Sequence, residues 1–365
     1  MKIFLKGSRC FFVFFIANIL SFYKTQAQIP ATDIVNTEPI ELYLQLANSI
    51  KQNGKPDDLI LKEYFNNPNV AFFNQRPGFD SLKFVNDLIS VNSNRNGLGT
   101  AVPDEDCLLM EKYRQNEEAI KRSVSYLKTV DIGRMVRKRL RPVLPVNFHL
   151  DRITIQYQYL FLEEGTGGIP GKVFNSALQT AYLPDDIIDV IAAHEAYHTI
   201  ANTIFIEKFG HVSQSPSLSE YEKNLLWYLE IVAEEGIADL IDKPVLAASR
   251  TPLQVEYHQL SQNENHRATQ KIHLLDSLLI VRTGKNEQAF EANILLENGG
   301  HIPGRYMAQY IKNNNFKDYL NYTGNPFQFF FHYNDAVRNK TGLPILSERA
   351  IAYLKEVEQR FTQKN

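Results

Sequence analysis

Near the middle of the chain, Ala192 to Ile200 read AAHEAYHTI, inside a segment, DIIDVIAAHEAYHTIANTIF, patterned as a helix. Residues four apart on an α-helix lie on one face, one turn above the other. His194 and His198 can therefore offer imidazole nitrogens to a single ion. Glu195, one position round, can lean over that ion without ligating it. Chance supplies such a motif in roughly one or two of a hundred chains of this size. The rest of the chain must therefore bring a further ligand to the same face.

A catalytic zinc usually takes three protein ligands and keeps a fourth position for water. One pattern places a third His six residues beyond the second, after a glycine. Ile204 and Ala201 occupy those places, which excludes it. Another pattern uses a Glu on a following helix, with an Asp four residues later. SEYEKNLLWYLEIVAEEGIADLID reads as such a helix, with Glu235 and Asp239 at i and i+4. Glu235 can reach the metal. Asp239 can hydrogen-bond a ligand imidazole and fix its tautomer, and Glu234 can do so for the other. Gly236 is out of place in mid-helix, where it costs ~1 kcal/mol relative to Ala. Close packing of two helices around a metal, or a helix end, accounts for it.

The chemistry expected of such a centre is hydrolysis. Zinc lowers the pKa of bound water towards ~7 and polarises a carbonyl. Glu195 is the expected general base. An oxyanion needs a donor besides the metal, and ENGGHIPGRYMAQYI offers His301 and Tyr306 around a helix start near Gly304. The segment VFNSALQT could be an edge strand that receives an extended peptide by main-chain pairing.

The N-terminus combines Lys2, Lys6 and Arg9 with the apolar run CFFVFFIANILSF and the small, polar YKTQAQ. That is the layout of a secretory signal peptide over residues 1–27, with an apolar run shorter than the ~18 residues of a spanning helix. The expected location is periplasmic or extracellular, without stable membrane insertion after cleavage. Cleavage shifts the net charge from -2 to -6 and leaves Cys107 as the only cysteine, so no internal disulfide can form. The acidic balance gives no sign of a nucleic-acid partner. The basic run RMVRKRLRP reads as a solvated helix face.

Helical patterns fill residues 28–150, interrupted by the loop NSNRNGLGTAVPDED. RITIQYQYLFL alternates as a half-buried strand, and KVFNSALQTAYL reads as a second extended segment. Pro184 and Asp185 or Asp186 then open the motif helix. The fold expected is α+β, predominantly helical, with a small sheet next to the metal-binding helix. Residues 28–150 form its helical N-terminal region and 151–365 the catalytic region, in one continuous globular unit.

His194-Glu195-x-x-His198 with Glu235-x-x-x-Asp239 resembles the gluzincin metallopeptidases. More narrowly, AAHEAYHTI, AEEGIADL, GGHIPGRYMAQYI and NPFQFFFHYNDAV resemble a bacterial domain family of unknown function, described as zinc-dependent peptidases. Its members are frequent in Bacteroidetes-type bacteria and often exported. The resemblance spans roughly Ile153 to Val337. It implies a gluzincin-like fold, Zn2+, peptide or protein substrates, His194, His198 and Glu235 as ligands, and Glu195 as base. It sets Tyr306 near the site. In one departure, 36 residues separate His198 from Glu235, so HVSQSPSLSE should be a surface insertion.

The rival readings are an inactive zinc- or peptide-binding module of the same fold, a deformylase-like hydrolase ligated by Cys107, and a metal-free helical protein. Retention of Glu195 argues against the first. Cys107 lies far upstream of the helix, against the second. His258, His266, His273 and His332 show no ligand spacing.

Overall fold

The computed structural model describes residues 33–75, 78–93, 104–210, 214–216, 218–281, 298–314 and 322–362. The expected signal peptide, most of the 92–106 loop and part of HVSQSPSLSE lie outside them. The chain order is β1 (Ile34–Asn36), α1 (Glu38–Asn53), α2 (Asp58–Asn66), α3 (Pro68–Asn74), α4 (Ser81–Asn92), α5 (Glu105–Gln115), α6 (Glu117–Leu127), α7 (Ile132–Leu140), β2 (Gln156–Leu160), β3 (Thr166–Ile169), β4 (Lys172–Ser176) and α8 (Ala177–Ala181). Then come α9 (Val190–Phe209), α10 (Glu220–Ala248), α11 (Pro252–Leu260), α12 (Glu264–Val281), α13 (His301–Asn314), α14 (Pro326–Val337) and α15 (Glu348–Thr362). The architecture is the expected helix-rich α+β, with one small mixed sheet ordered β1-β2-β4-β3. No helix among the described residues is long and apolar enough to cross a membrane.

Contacts divide the chain into two compact units. The first draws on residues 1–130, 151–164 and 175–181, the second on 131–150, 165–174 and 182–365. In the first, β1 and β2 run parallel, with Ile34 opposite Gln156. The alternation in RITIQYQYLFL predicted a half-buried strand, but Tyr157, Gln158, Tyr159 and Leu160 are all buried. Gln158 tolerates burial because its Oε1 accepts from the amides of Asn36 and Asn69, each at 2.8 Å.

KVFNSALQTAYL is extended only to Ser176. There the Ser176 hydroxyl accepts from the Gln179 amide and the chain turns into α8. β4 is moreover an inner strand. The edge strand on that side is β3, which pairs antiparallel with β4, so the edge expected at VFNSALQT is corrected to Thr166–Ile169.

In the second unit α9 packs against α7, α10 and β3. It starts at Val190, later than the sequence suggests. Asp185–Ile187 form a separate 3-10 turn, and the N-cap is Asp189. That side chain does not cap the helix, because Arg139 Nε donates to its Oδ2 at 2.6 Å. The basic run is thus partly consumed inside the protein. Arg137 and Arg141 also donate to the carbonyls of Leu150 and Phe148.

α10 begins with a reciprocal cap between Ser219 and Glu222 and continues for 29 residues. Gly236 lies well inside it, not at an end. A Cβ there would stand 2.4 Å from the Gly304 carbonyl oxygen of α13, and one on Gly304 would stand 2.3 Å from the Val232 carbonyl oxygen. The two helices cross backbone to backbone at these glycines. On the other flank, a Cβ on Gly167 of β3 would stand 2.1 Å from the Glu195 carbonyl oxygen.

Gly236→Ala sets two terms against each other. The helix gains ~1 kcal/mol in propensity, while overpacking costs roughly 1–3 kcal/mol, and more against rigid backbone. The variant is expected to melt at a lower temperature than the parent and to lose bound metal, read by thermal unfolding and metal analysis. An unchanged or raised melting temperature would contradict the close crossing.

Candidate metal centre

His194 and His198 are buried on the α9 face that meets α10. Their Nε2 atoms approach to 3.2 Å. Glu235 Oε2 stands 3.4 Å from each, closing a nearly equilateral triangle. Two ligands at ~2.0–2.1 Å from a tetrahedral zinc are about 3.3 Å apart, so the triangle has the edge length of such a site.

The outer ring nitrogens support the same reading. His198 Nδ1 is 3.3 Å from Glu234 Oε2. His194 Nδ1 is 3.2 Å from Asp242 Oδ1, close but not aligned as a hydrogen bond. A carboxylate facing Nδ1 favours the proton there, which leaves both Nε2 lone pairs turned towards one point. Glu235 Oε2 is buried and makes no well-formed hydrogen bond, although a third imidazole nitrogen, His301 Nδ1, is 3.1 Å away. An orphaned oxygen facing two converging lone pairs fits a cation with N and O ligands.

A wider group, His194, Glu235, Asp239 and His301, also has ligand atoms within 4.8 Å of one another. Asp239 and His301 are bound to each other in it, Nδ1 to Oδ1 at 3.0 Å. The inner triangle has the more even distances, with Asp239 and His301 standing beside it. Asp239 is fully buried and 3.9 Å from His194 Nδ1, so the nearest acid to that ring is Asp242.

Each expected residue can now be located. Glu234 faces His198. Glu195 is half-buried, its side chain beneath Gly165 of the approach to β3. His301 opens α13 and joins the cluster. Tyr306 packs in the core, its ring 4.9 Å from Tyr310 and 6.3 Å from Tyr333. Its hydroxyl is influenced by Tyr310 and Thr269, with no group of the cluster among its neighbours. The neighbours of Cys107 are Asp87 and Asp104, and burial pushes its thiol up to about 11.

Sequence reading missed Asp242 and Lys243. Lys243 Nζ lies 2.9 Å from Asp242 and 3.4 Å from Asp239, clamping both acids. The available signal was the spacing of Glu235, Asp239 and Asp242, at i, i+4 and i+7 on one helix face.

The electrostatics follow from burial and charge together. Burial pulls His194 down, but Asp242 and Glu235 outweigh it and raise the ring to about 10. His198 behaves alike, lowered by burial and raised well above the ordinary range by Glu235 and Glu234. Burial raises Glu195, only partly offset by the two imidazoles. Burial would also raise Glu235, but His301 and His198 hold it well below the usual carboxylate range.

Residues 33–342 match a family described as "Putative zinc dependent peptidase (DUF5700)", and the chain belongs to that family. No curated protein and no solved structure is significantly similar to it. The family description and the triangle agree on zinc.

Two outcomes follow for metal-stripped protein. The surrounding acids favour the protonated form of both rings when the metal is stripped, so zinc loading near neutral pH is expected to release protons, up to about two. Calorimetry in buffers of different ionisation enthalpy counts them, and release near zero would refute the protonated pair. A raised His194 also contributes stability that is fully present below pH 6.5 and lost as pH rises towards about 10. The stripped protein should therefore melt lower across that interval, while its zinc affinity rises. Separately, Asp242→Asn should weaken zinc binding about 10–100-fold, measured by competition with a chromogenic chelator.

Proposed function

We propose that the protein is an exported peptidase of the gluzincin type, hydrolysing peptide bonds with Glu195 as general base. The observation that carries this reading is the 3.2–3.4 Å triangle of His194, His198 and Glu235 with an unligated glutamate beside it. Held there, zinc would supply a Lewis acid and a water of lowered pKa. The remaining work falls to the chain.

Glu195 takes a proton from the attacking water and returns it to the leaving amine. Its raised pKa, nearer to neutrality, suits both transfers. Asp242 and Glu234 hold the two ligand rings in one tautomer. His301 has its Nδ1 engaged by Asp239, which leaves Nε2 as the donor for a developing oxyanion. Of the two donor candidates His301 is retained, since Tyr306 has only core neighbours. The edge strand β3 supports an extended substrate, because it runs over Glu195 and has an open side for main-chain pairing.

The test compares wild type with Glu195→Gln on a broad peptide library, with zinc content measured on both. The expected result is equal zinc and cleavage reduced about 10²–10⁴-fold. Equal cleavage would remove Glu195 from the chemistry. Zinc without cleavage in the wild type would instead identify a binding module.

A further inference from the structure

The crossing of Gly236 and Gly304 sets how near α13 comes to α10, but a backbone contact at one point is a pivot. The turn of α13 about that point needs a restraint of its own. His301 lies three residues before Gly304 and swings with the helix. Arg305 follows Gly304 directly and stands one turn on from His301, so both side chains leave the same side of α13.

Arg305 is 3% exposed, and its guanidinium forks onto a single carboxylate. Nε donates to Glu264 Oε1 at 2.6 Å, and Nη2 lies 2.6 Å from Oε2. The Arg305 Cζ also stands 4.8 Å from the centroid of the Tyr257 ring of α11, within reach of a cation–π contact. Glu264 opens α12, where an acid suits the positive end of the helix dipole. The chain enters that helix through Asn263 at φ 57°, a left-handed conformation that asparagine accepts more readily than most residues. α12 in turn packs against α13. Asp239, which engages His301 Nδ1, is an electrostatic neighbour of Arg305.

Two parallel N–H···O bonds fix direction as well as distance. Stability alone does not call for them, since apolar side chains of similar volume often match or better a buried ion pair. Apolar packing does not supply a defined orientation. We propose that Arg305, forked onto Glu264 and packed on Tyr257, is a positioning residue that fixes the rotation of α13 and with it the aim of the His301 ring. The proposal deepens the peptidase reading and rests on His301 as its oxyanion donor.

The experiment uses the zinc-loaded full chain carrying Arg305→Met together with Glu264→Leu, which removes the fork and keeps apolar volume in its place. Melting temperature and zinc content are expected to match the wild type. On a peptide that the wild type cleaves, kcat should fall about 10–100-fold with KM unchanged, because the donor acts on the transition state. The downfield proton resonance of His301 Nδ1–H, assigned by its loss in His301→Gln, should move or broaden. Arg305→Lys keeps the charge without the fork. It should show the same two changes, and it serves if the double variant does not fold. An unchanged kcat or an unchanged His301 resonance would overturn the proposal. So would changes that appear only with a lower melting temperature and lost zinc in both variants, since the pair would then merely hold the fold. A wild type that cleaves no peptide would end the peptidase reading by itself, and the His301 resonance would still decide the role of Arg305.

Discussion

Two glycines in van der Waals contact, Gly236 of α10 and Gly304 of α13, set the separation on which the metal centre depends. With any side chain at either place the helices stand further apart, and His301, at the first turn of α13, moves off Glu235 and Asp239. Ligand geometry tolerates little of this, since the three triangle distances lie within 0.2 Å of one another. A third close approach, Gly167 against the Glu195 carbonyl, fixes β3 over the other side of α9. The helix-propensity loss of ~1 kcal/mol at Gly236 is thus the local cost of a packing distance that no other residue permits.

The charges on α10 impose a second constraint. Glu230, Glu234, Glu235, Asp239 and Asp242 all belong to this one helix, and Lys243 is the cation it supplies against them. Unpaired acids in an interior are strongly disfavoured. Imidazolium rings, a divalent ion, or both must make up the difference, so the residues that would bind metal are also those that most need one. This explains why Glu235 sits far below the ordinary carboxylate range while the neighbouring histidines sit above theirs.

Much of this was legible in the sequence, and the unreadable parts have physical causes. The motif helix, its partner at AEEGIADL and the anomaly of Gly236 could be read because i, i+4 spacing is a local property. Asp242 could not be ranked against Asp239. Both share a face with Glu235, and only the crossing of α9 and α10 decides which reaches the ring. Alternation in RITIQYQYLFL predicts a half-buried strand, yet Tyr157 to Leu160 are all buried. The amides of Asn36 and Asn69, distant in sequence, are what let Gln158 go inside. Tyr306 follows a glycine-rich turn that leads to the cluster, but the side chain that joins the cluster is His301, at the helix start.

Whether such a centre is a clamp or a catalyst turns on Glu195. A clamp is served best by tight packing around four filled coordination positions. Here residue choice leaves space beside the glutamate. A Cβ on Gly165 would stand 3.2–3.3 Å from the Glu195 side chain, tighter than ordinary contact. A larger residue there would press on the glutamate and restrict its movement. Glycine leaves that side chain half-buried, raised in pKa and outside the ligand triangle. A purely structural metal has no use for an acid held beside it, whereas the proton transfer proposed for Glu195 requires one.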